Sequence, residues 1–323
     1  MQLVNSFFKK IWSSYRLGLI VVLVLIIFSI LTPNILQINN LTNVLINASV
    51  VAIVGLGMTM AIASGNFDLS VGSTAAFAGV IAMSLIPTVG VPVGLLAGLM
   101  TGAIVGLVNG LIITELRVPA FIATLGMMSI VRGLTLLYTD GKDIYLFGET
   151  PFKILSGGRV FGIPMPILLT LGLALILSLL LKHTRFGRHV LAIGSNMDAV
   201  HRAGVKTSRV LWGVFAIVGI TAALSGMILS SQVLTANGRL AVGLELSAIA
   251  VVVLGGTPLT GGRASLIGTL LGAVLIALIN NGLNLLNVPI FWQELTVGAL
   301  LLIALALEMR RGPLNLKKLI VRT

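Results

Sequence analysis

Residue types capable of covalent chemistry are sparse in this sequence, and those present form no reactive pattern. His183, His189 and His201 share one basic stretch and lack the His-Glu-x-x-His spacing that places two imidazoles and a general base on one helix face. Cysteine is absent, which removes a thiol nucleophile, a thiolate metal site and any disulfide framework. The phosphate-cradling pattern GxxxxGK followed by Ser or Thr is missing, and Gly204-Val205-Lys206-Thr207 reproduces only its end. The sequence therefore predicts neither an enzyme centre nor an ATP site of its own, and no metal site.

The remaining candidates are polar residues in apolar surroundings. Asp68, within GNFDLSVGS (65 to 73), is the only acid between Arg16 and Glu115. An ionisable group at membrane depth is costly and is a functional candidate by default. The competing reading is mechanical, with Asp68 or Ser70 accepting the free N–H groups at the start of the next helix. Asn280, Asn284 and Asn287 recur at i, i+4 and i+7 beside Asn281, so they share one helix face. That face either hydrogen-bonds a neighbouring helix or lines a solute path, where amides offer donors and acceptors to a polyol. Asp68, Ser70, Asn280 and Asn284 are the substrate-path candidates. Arg132 has no acid three or four residues away and must find a partner on another element, snorkel, or meet water. Glu245, Glu294 and Glu308 fall near predicted span ends and need no special role.

The elements that position these residues follow from composition. The 323 residues are 57% hydrophobic and 9% charged, with mean hydropathy +1.11, whereas soluble domains carry about 25% charged residues. This is an integral membrane protein. A helix needs roughly 20 apolar residues to cross a bilayer, and ten candidates lie at 17 to 32, 44 to 63, 70 to 86, 91 to 113, 119 to 138, 164 to 181, 210 to 231, 245 to 256, 265 to 286 and 290 to 308. The eighth, bounded by Gly255, Gly256 and Pro258, reads as a broken or partial crossing. The first reads as an uncleaved span rather than a signal peptide, since no small-residue cleavage site follows.

The net charge of +12 is concentrated in three segments: +3 in residues 1 to 16, +5 in 182 to 209 and +5 in 309 to 323. Such an excess could suggest nucleic acid in a soluble protein. Its placement outside apolar spans instead marks cytosolic flanks by the positive-inside rule. Ten crossings then put both termini and the 182 to 209 loop in the cytosol, and leave the nearly neutral loop from Thr139 to Ile163 outside. The expected fold is an all-α bundle of about ten transmembrane helices forming one domain over residues 1 to 323.

Two features concern packing. Gly94, Gly98, Gly102, Gly106 and Gly110 leave one face of the fourth span as bare backbone, which lets another helix approach closely, within this chain or from another subunit. An apolar run ending in a small-residue hairpin occurs near 64 to 73 and again near 255 to 265, and each could turn between two spans.

Five segments together carry a resemblance: GNFDLSVGS (65 to 73), AFIATLGMMSIVRGLTLLYTDG (120 to 141), AIGSNMDAVHRAGV (192 to 205), ELSAIAVVVLGGTPLTGG (245 to 262) and NNGLNLLNV (280 to 288). In this order they closely resemble the permease subunit of ribose-type ABC sugar importers. The resemblance implies a bacterial inner-membrane permease that carries a monosaccharide such as ribose. It also implies a second permease copy, a cytosolic ATP-binding cassette protein holding ATP and magnesium, and a periplasmic sugar-binding protein. No cofactor is expected on this chain. In that family a short helix between the sixth and seventh spans docks on the ATPase, which here maps onto Gly194, Asn196, Ala199, Ala203 and Gly204. The alternative class is an ion-gradient-driven secondary transporter of a small polar solute, for which the single acid Asp68 is thin provision.

Overall fold

The computed structural model describes residues 2 to 147 and 150 to 309. Readings that rest on the side chains of Lys9, Lys10, Arg16, Glu294 and Glu308, on Glu149, or on the basic residues beyond 309 fall outside what is described.

Twelve helices account for nearly all the regular structure among the described residues. They are α1 (Gln2–Leu31), α2 (Ile38–Ala63), α3 (Val71–Val89), α4 (Val91–Glu115), α5 (Ala120–Thr139), α6 (Ile154–Gly157), α7 (Met165–His183), α8 (Arg185–Arg202), α9 (Thr207–Val233), α10 (Leu244–Leu254), α11 (Leu266–Leu285) and α12 (Ile290–Met309). Seven of them (α2, α3, α4, α5, α7, α9 and α11) are long and apolar enough to cross a membrane, while α10 and the apolar part of α1 are shorter. The bounds differ from the expected ones most at α1, which starts at Gln2 rather than 17, and next at α2, which starts at Ile38 rather than 44. In α2 the difference has a plain cause. Its first turns contain Asn39, Asn40, Thr42 and Asn43, polar residues that a hydropathy criterion passes over.

The core is built on α9, which is packed by α2, α3 and α4. All five glycines of the α4 stripe are turned to this chain's own helices. A Cβ on Gly102 would run into the Gly219 carbonyl oxygen, and one on Gly106 into that of Phe215. Gly98 meets Met227 and the Ala78 carbonyl, and Gly94 meets Ile86 on α3. Gly219 on α9 returns the contact onto Gly102, so two backbones touch with no side chain between them.

Alignment of α3 with α9 sets its depth. Gly79 packs on Ser230 and Ala75 on Gly226, one fixed offset, so the two helices run parallel. Val71 then lies level with Ala222, about 16 Å below the end of α9 at 1.5 Å per residue. The start of α3 therefore lies part-way along α9 rather than level with either of its ends. Helix α10, 11 residues long, is likewise only about half a crossing.

At the end of the bundle opposite α8, residues 140 to 147 and 150 to 164 fold over the helix tips. Strand β1 (Ile144–Tyr145) pairs antiparallel with β4 (Thr235–Ala236), and β2 (Arg159–Val160) forms a hairpin with β3 (Ile163–Pro164). Fully buried Phe152 anchors this cap with Val80, Met83, Ile86, Met227 and Ala236. Its carbonyl accepts a hydrogen bond from the Ser231 hydroxyl at 2.8 Å.

Candidate functional site

The expected loop at 182 to 209 is mostly helix α8, an amphipathic element with Gly187, Val190 and Ile193 buried. It is capped at its start by Thr184, whose hydroxyl accepts from the Gly187 N–H at 3.1 Å. Helical geometry breaks at Asn196 (φ −162°, ψ 95°), and the Asn196 side-chain oxygen accepts from the Ala199 N–H at 3.0 Å. Asn196 thus ends one helix and caps a short second one, and Asn196, Ala199, Ala203 and Gly204 are all exposed on it.

Gly194 belongs to the other side of α8. A Cβ there would run into the Ala63 carbonyl oxygen and lie 2.5 Å from the Gly262 nitrogen. The Gly262 N–H donates to the Ala63 carbonyl at 2.9 Å, and a Cβ on Gly261 would be 2.9 Å from the Cα of Gly194. The two small-residue hairpins, 64 to 70 and 255 to 265, therefore meet each other and α8 at a junction of bare backbone. Gly65, Gly261 and Gly262 have φ near +80°, open to glycine at low cost.

Asp68 lies in the connector between α2 and α3, outside the spanning helices, and is 2% exposed. The Ser70 N–H and hydroxyl donate to its Oδ1 at 2.8 and 2.6 Å, and the Asn109 amide donates to its Oδ2 at 3.1 Å and to the Ser70 oxygen at 2.9 Å. Burial pushes the Asp68 carboxyl above the ordinary carboxylate range, against the opposing pull of the Ser70 and Asn109 hydrogen bonds. Ser70, the cap residue just before α3, uses its hydroxyl on Asp68 rather than on a helix N–H. Asn109 is the functional candidate that sequence reasoning missed. Its signal was a lone amide in the apolar α4, one residue before Gly110 of the stripe.

The asparagines of α11 divide. Asn281 exchanges two 2.9 Å hydrogen bonds with Asn40 of α2, an interhelical amide pair. Asn284 is exposed and accepts from Gln293 of α12 at 2.8 Å, whereas the buried side-chain oxygen of Asn280 has no partner. Arg132 reaches out of α5 to the segment that precedes α10, where one guanidinium nitrogen donates to the carbonyls of Gly238 and Leu240, the latter at 3.0 Å. A cleft between α2, α7 and α11 is apolar, and its hydroxyls, Ser49 and Thr170, already bond carbonyls of their own helices.

Interrupted helices, a half-crossing α10 and polar groups carried into a multi-span apolar bundle define a membrane transport component. Residues 40 to 305 match the family described as the permease component of a branched-chain amino acid transport system. The chain belongs to this permease family and is a multi-pass protein of the bacterial inner membrane. It is 40% identical to the ribose import permease of Escherichia coli strain K12 over 313 residues, 95% of this chain and 97% of that one. It is 41% identical to the ribose import permease of Bacillus subtilis strain 168, covering 92% of each. Against the L-arabinose ABC transporter permease of Azospirillum brasilense it is 36% identical over 93% of this chain and 90% of the other. No solved structure matches the chain.

Proposed function

We propose that this chain is the permease of an ATP-driven importer that passes a monosaccharide, ribose or a related aldose, across the inner membrane. A periplasmic binding protein delivers the sugar, a cytosolic ATPase carries the ATP and magnesium, and a second copy of this chain completes the passage. The ends of the chain and α8 lie in the cytosol, following the positive charge of α8 and its flanks, including Arg185, Arg188, Arg202 and Lys206.

The observation that carries the mechanism is the construction of α8. Its outward side offers Asn196, Ala199, Ala203 and Gly204 to a partner, while its inward side, at Gly194, is locked to both hairpins. A partner that moves the outward side moves the starts of α3 and α11 together. ATP can shift the open side of the passage only through states that the ATPase binds unequally, and α8 is the element through which it does so. The sugar class rests on the near-full-length similarity to ribose and arabinose permeases. Asp68 and Ser70 form, with Asn109, the packed base of α3, and Asn280 and Asn284 remain candidates for contact with solute.

The test is uptake of labelled ribose by proteoliposomes containing this chain, its ATPase and its binding protein. Uptake blocked by vanadate and unaffected by an ionophore supports an ATP-driven permease. Uptake abolished by the ionophore and insensitive to vanadate replaces it with ion-coupled transport.

A further inference from the structure

The cleft between α2, α7 and α11 offers almost nothing to a polar solute. Its floor is small and apolar, built from Ala48, Ser49 and Ala52 of α2 and Val274 of α11. The hydroxyls of Ser49 and Thr170 donate to the carbonyls of Leu45 and Pro166 at 2.7 Å each. Both donors are thus spent within their own helices, and apolar cavities stay dry and take apolar guests. A free volume of about 100 Å³ admits a short stretch of hydrocarbon, given that an apolar cavity of about 150 Å³ takes benzene.

The cleft opens outward, with Leu45 and Leu171 at its mouth 41% and 54% exposed. From there the exposed side of α7 continues through Leu175 to Lys182. Lys182 comes eleven residues after Leu171, which at 3.6 residues per turn brings it within about 20° of the same line and about 16 Å further along the helix. That separation is close to the half-thickness of a hydrocarbon core, about 15 Å, which is the reach of an acyl chain in one leaflet. Beyond Lys182 come Arg185 and Arg188, both exposed, and none of the three makes an ion pair among the described residues. The single acid between Lys182 and Arg209 is Asp198, well past Arg188.

We propose that this face binds an anionic phospholipid, with its headgroup phosphate on Lys182, Arg185 and Arg188 and one acyl chain running along α7 past Leu175 to end in the cleft. The headgroup belongs to the cytosolic leaflet, following the sidedness proposed above. Basic residues just outside a span draw anionic lipids, so the cations select the headgroup. The cleft gives the chain a fixed seat, which separates a site from general attraction to a charged surface. A second copy is disfavoured as the occupant. A twofold axis along the membrane normal would set its Lys182, Arg185 and Arg188 against these at the same level, like charge against like.

The test uses the complete transporter in phosphatidylcholine vesicles, with Leu175→Cys as the only cysteine in the permease carrying a fluorescent label. Brominated phosphatidylglycerol should quench the label at a mole fraction about fivefold or more below that needed with brominated phosphatidylcholine. Lys182→Gln, at an exposed position, should leave protein recovery unchanged and cut this preference to below about twofold. Leu171→Trp, which fills the mouth of the cleft, should weaken it likewise, and if that variant fails to fold the Lys182→Gln arm decides. A label at Leu96→Cys, exposed on α4 away from these cations, should show no preference. Equal preference at both labels, none at either, or a preference that survives Lys182→Gln overturns the site. A label at Leu175→Cys that neither lipid quenches shows the face covered by protein and overturns it as well.

Discussion

Asp68 is the residue where two readings met, and its surroundings favour a structural role for its present contacts. Both oxygens are engaged by Ser70 and Asn109, and none of the three side chains is exposed by more than 2%. Asp68→Asn keeps an acceptor for the Ser70 N–H and should leave thermal unfolding of the detergent-solubilised protein within about 1 kcal/mol of wild type. Asp68→Ala strands the Ser70 and Asn109 donors and should cost about 1 to 3 kcal/mol, seen as a lower melting temperature and lower membrane abundance. Equal stability of the two variants would contradict this. Part of the constellation was legible in the sequence, because an acid isolated in an apolar stretch stands out. Asn109 was not, because it lies 41 residues from Asp68 and only the approach of α4 to the hairpin brings them together. Gly194 shows the same limit: its small size was visible, but the facing carbonyl of Ala63 was not.

Among the elements, α4 and α8 make separable predictions. Gly102→Leu or Gly106→Leu places a side chain where the α9 backbone already lies, and should cost about 3 kcal/mol or more, with little protein recovered from membranes. Gly126→Ala and Gly133→Ala on α5 meet nothing within 4 Å and should be recovered at wild-type levels. Fluorescence size-exclusion profiles of the four variants check both statements. The glycine period announced a close helix contact; its partner was not encoded in the period and emerges from the reciprocal Gly219 of α9. For α8, the charge count located the segment and the resemblance implied a short helix within it, but its full extent over Arg185–Arg202 was not legible, since a hydropathy pass sees only a polar gap. The kink at Asn196 makes substitutions on its two sides unequal. Gly194→Arg would break the junction with both hairpins, whereas Ala199→Arg alters only the exposed side.

For the whole molecule, the span pattern was readable because membrane helices must be long and apolar, and the charge distribution carries the proposed sidedness because positive loops are retained in the cytosol. The start of α3 part-way along α9 and the shortness of α10 were only hinted at by small-residue hairpins. They depend on how α3, α9 and α10 pack. Topology has a clean check in a chain without cysteine. Ala199→Cys should react with a membrane-impermeant thiol reagent only in inverted vesicles, and Phe161→Cys, at the tip of the β2–β3 hairpin and fully exposed, only in right-side-out vesicles. Labelling of both from one side would overturn the arrangement. The most direct measurement pairs ribose uptake with ATP hydrolysis in proteoliposomes holding the permease, ATPase and binding protein, for wild type and Ala199→Arg. The wild type should show vanadate-sensitive uptake, and Ala199→Arg should lose uptake more than about tenfold while the permease itself remains folded and abundant. Full uptake with Ala199→Arg, or uptake that continues without ATP, would contradict an importer driven through α8.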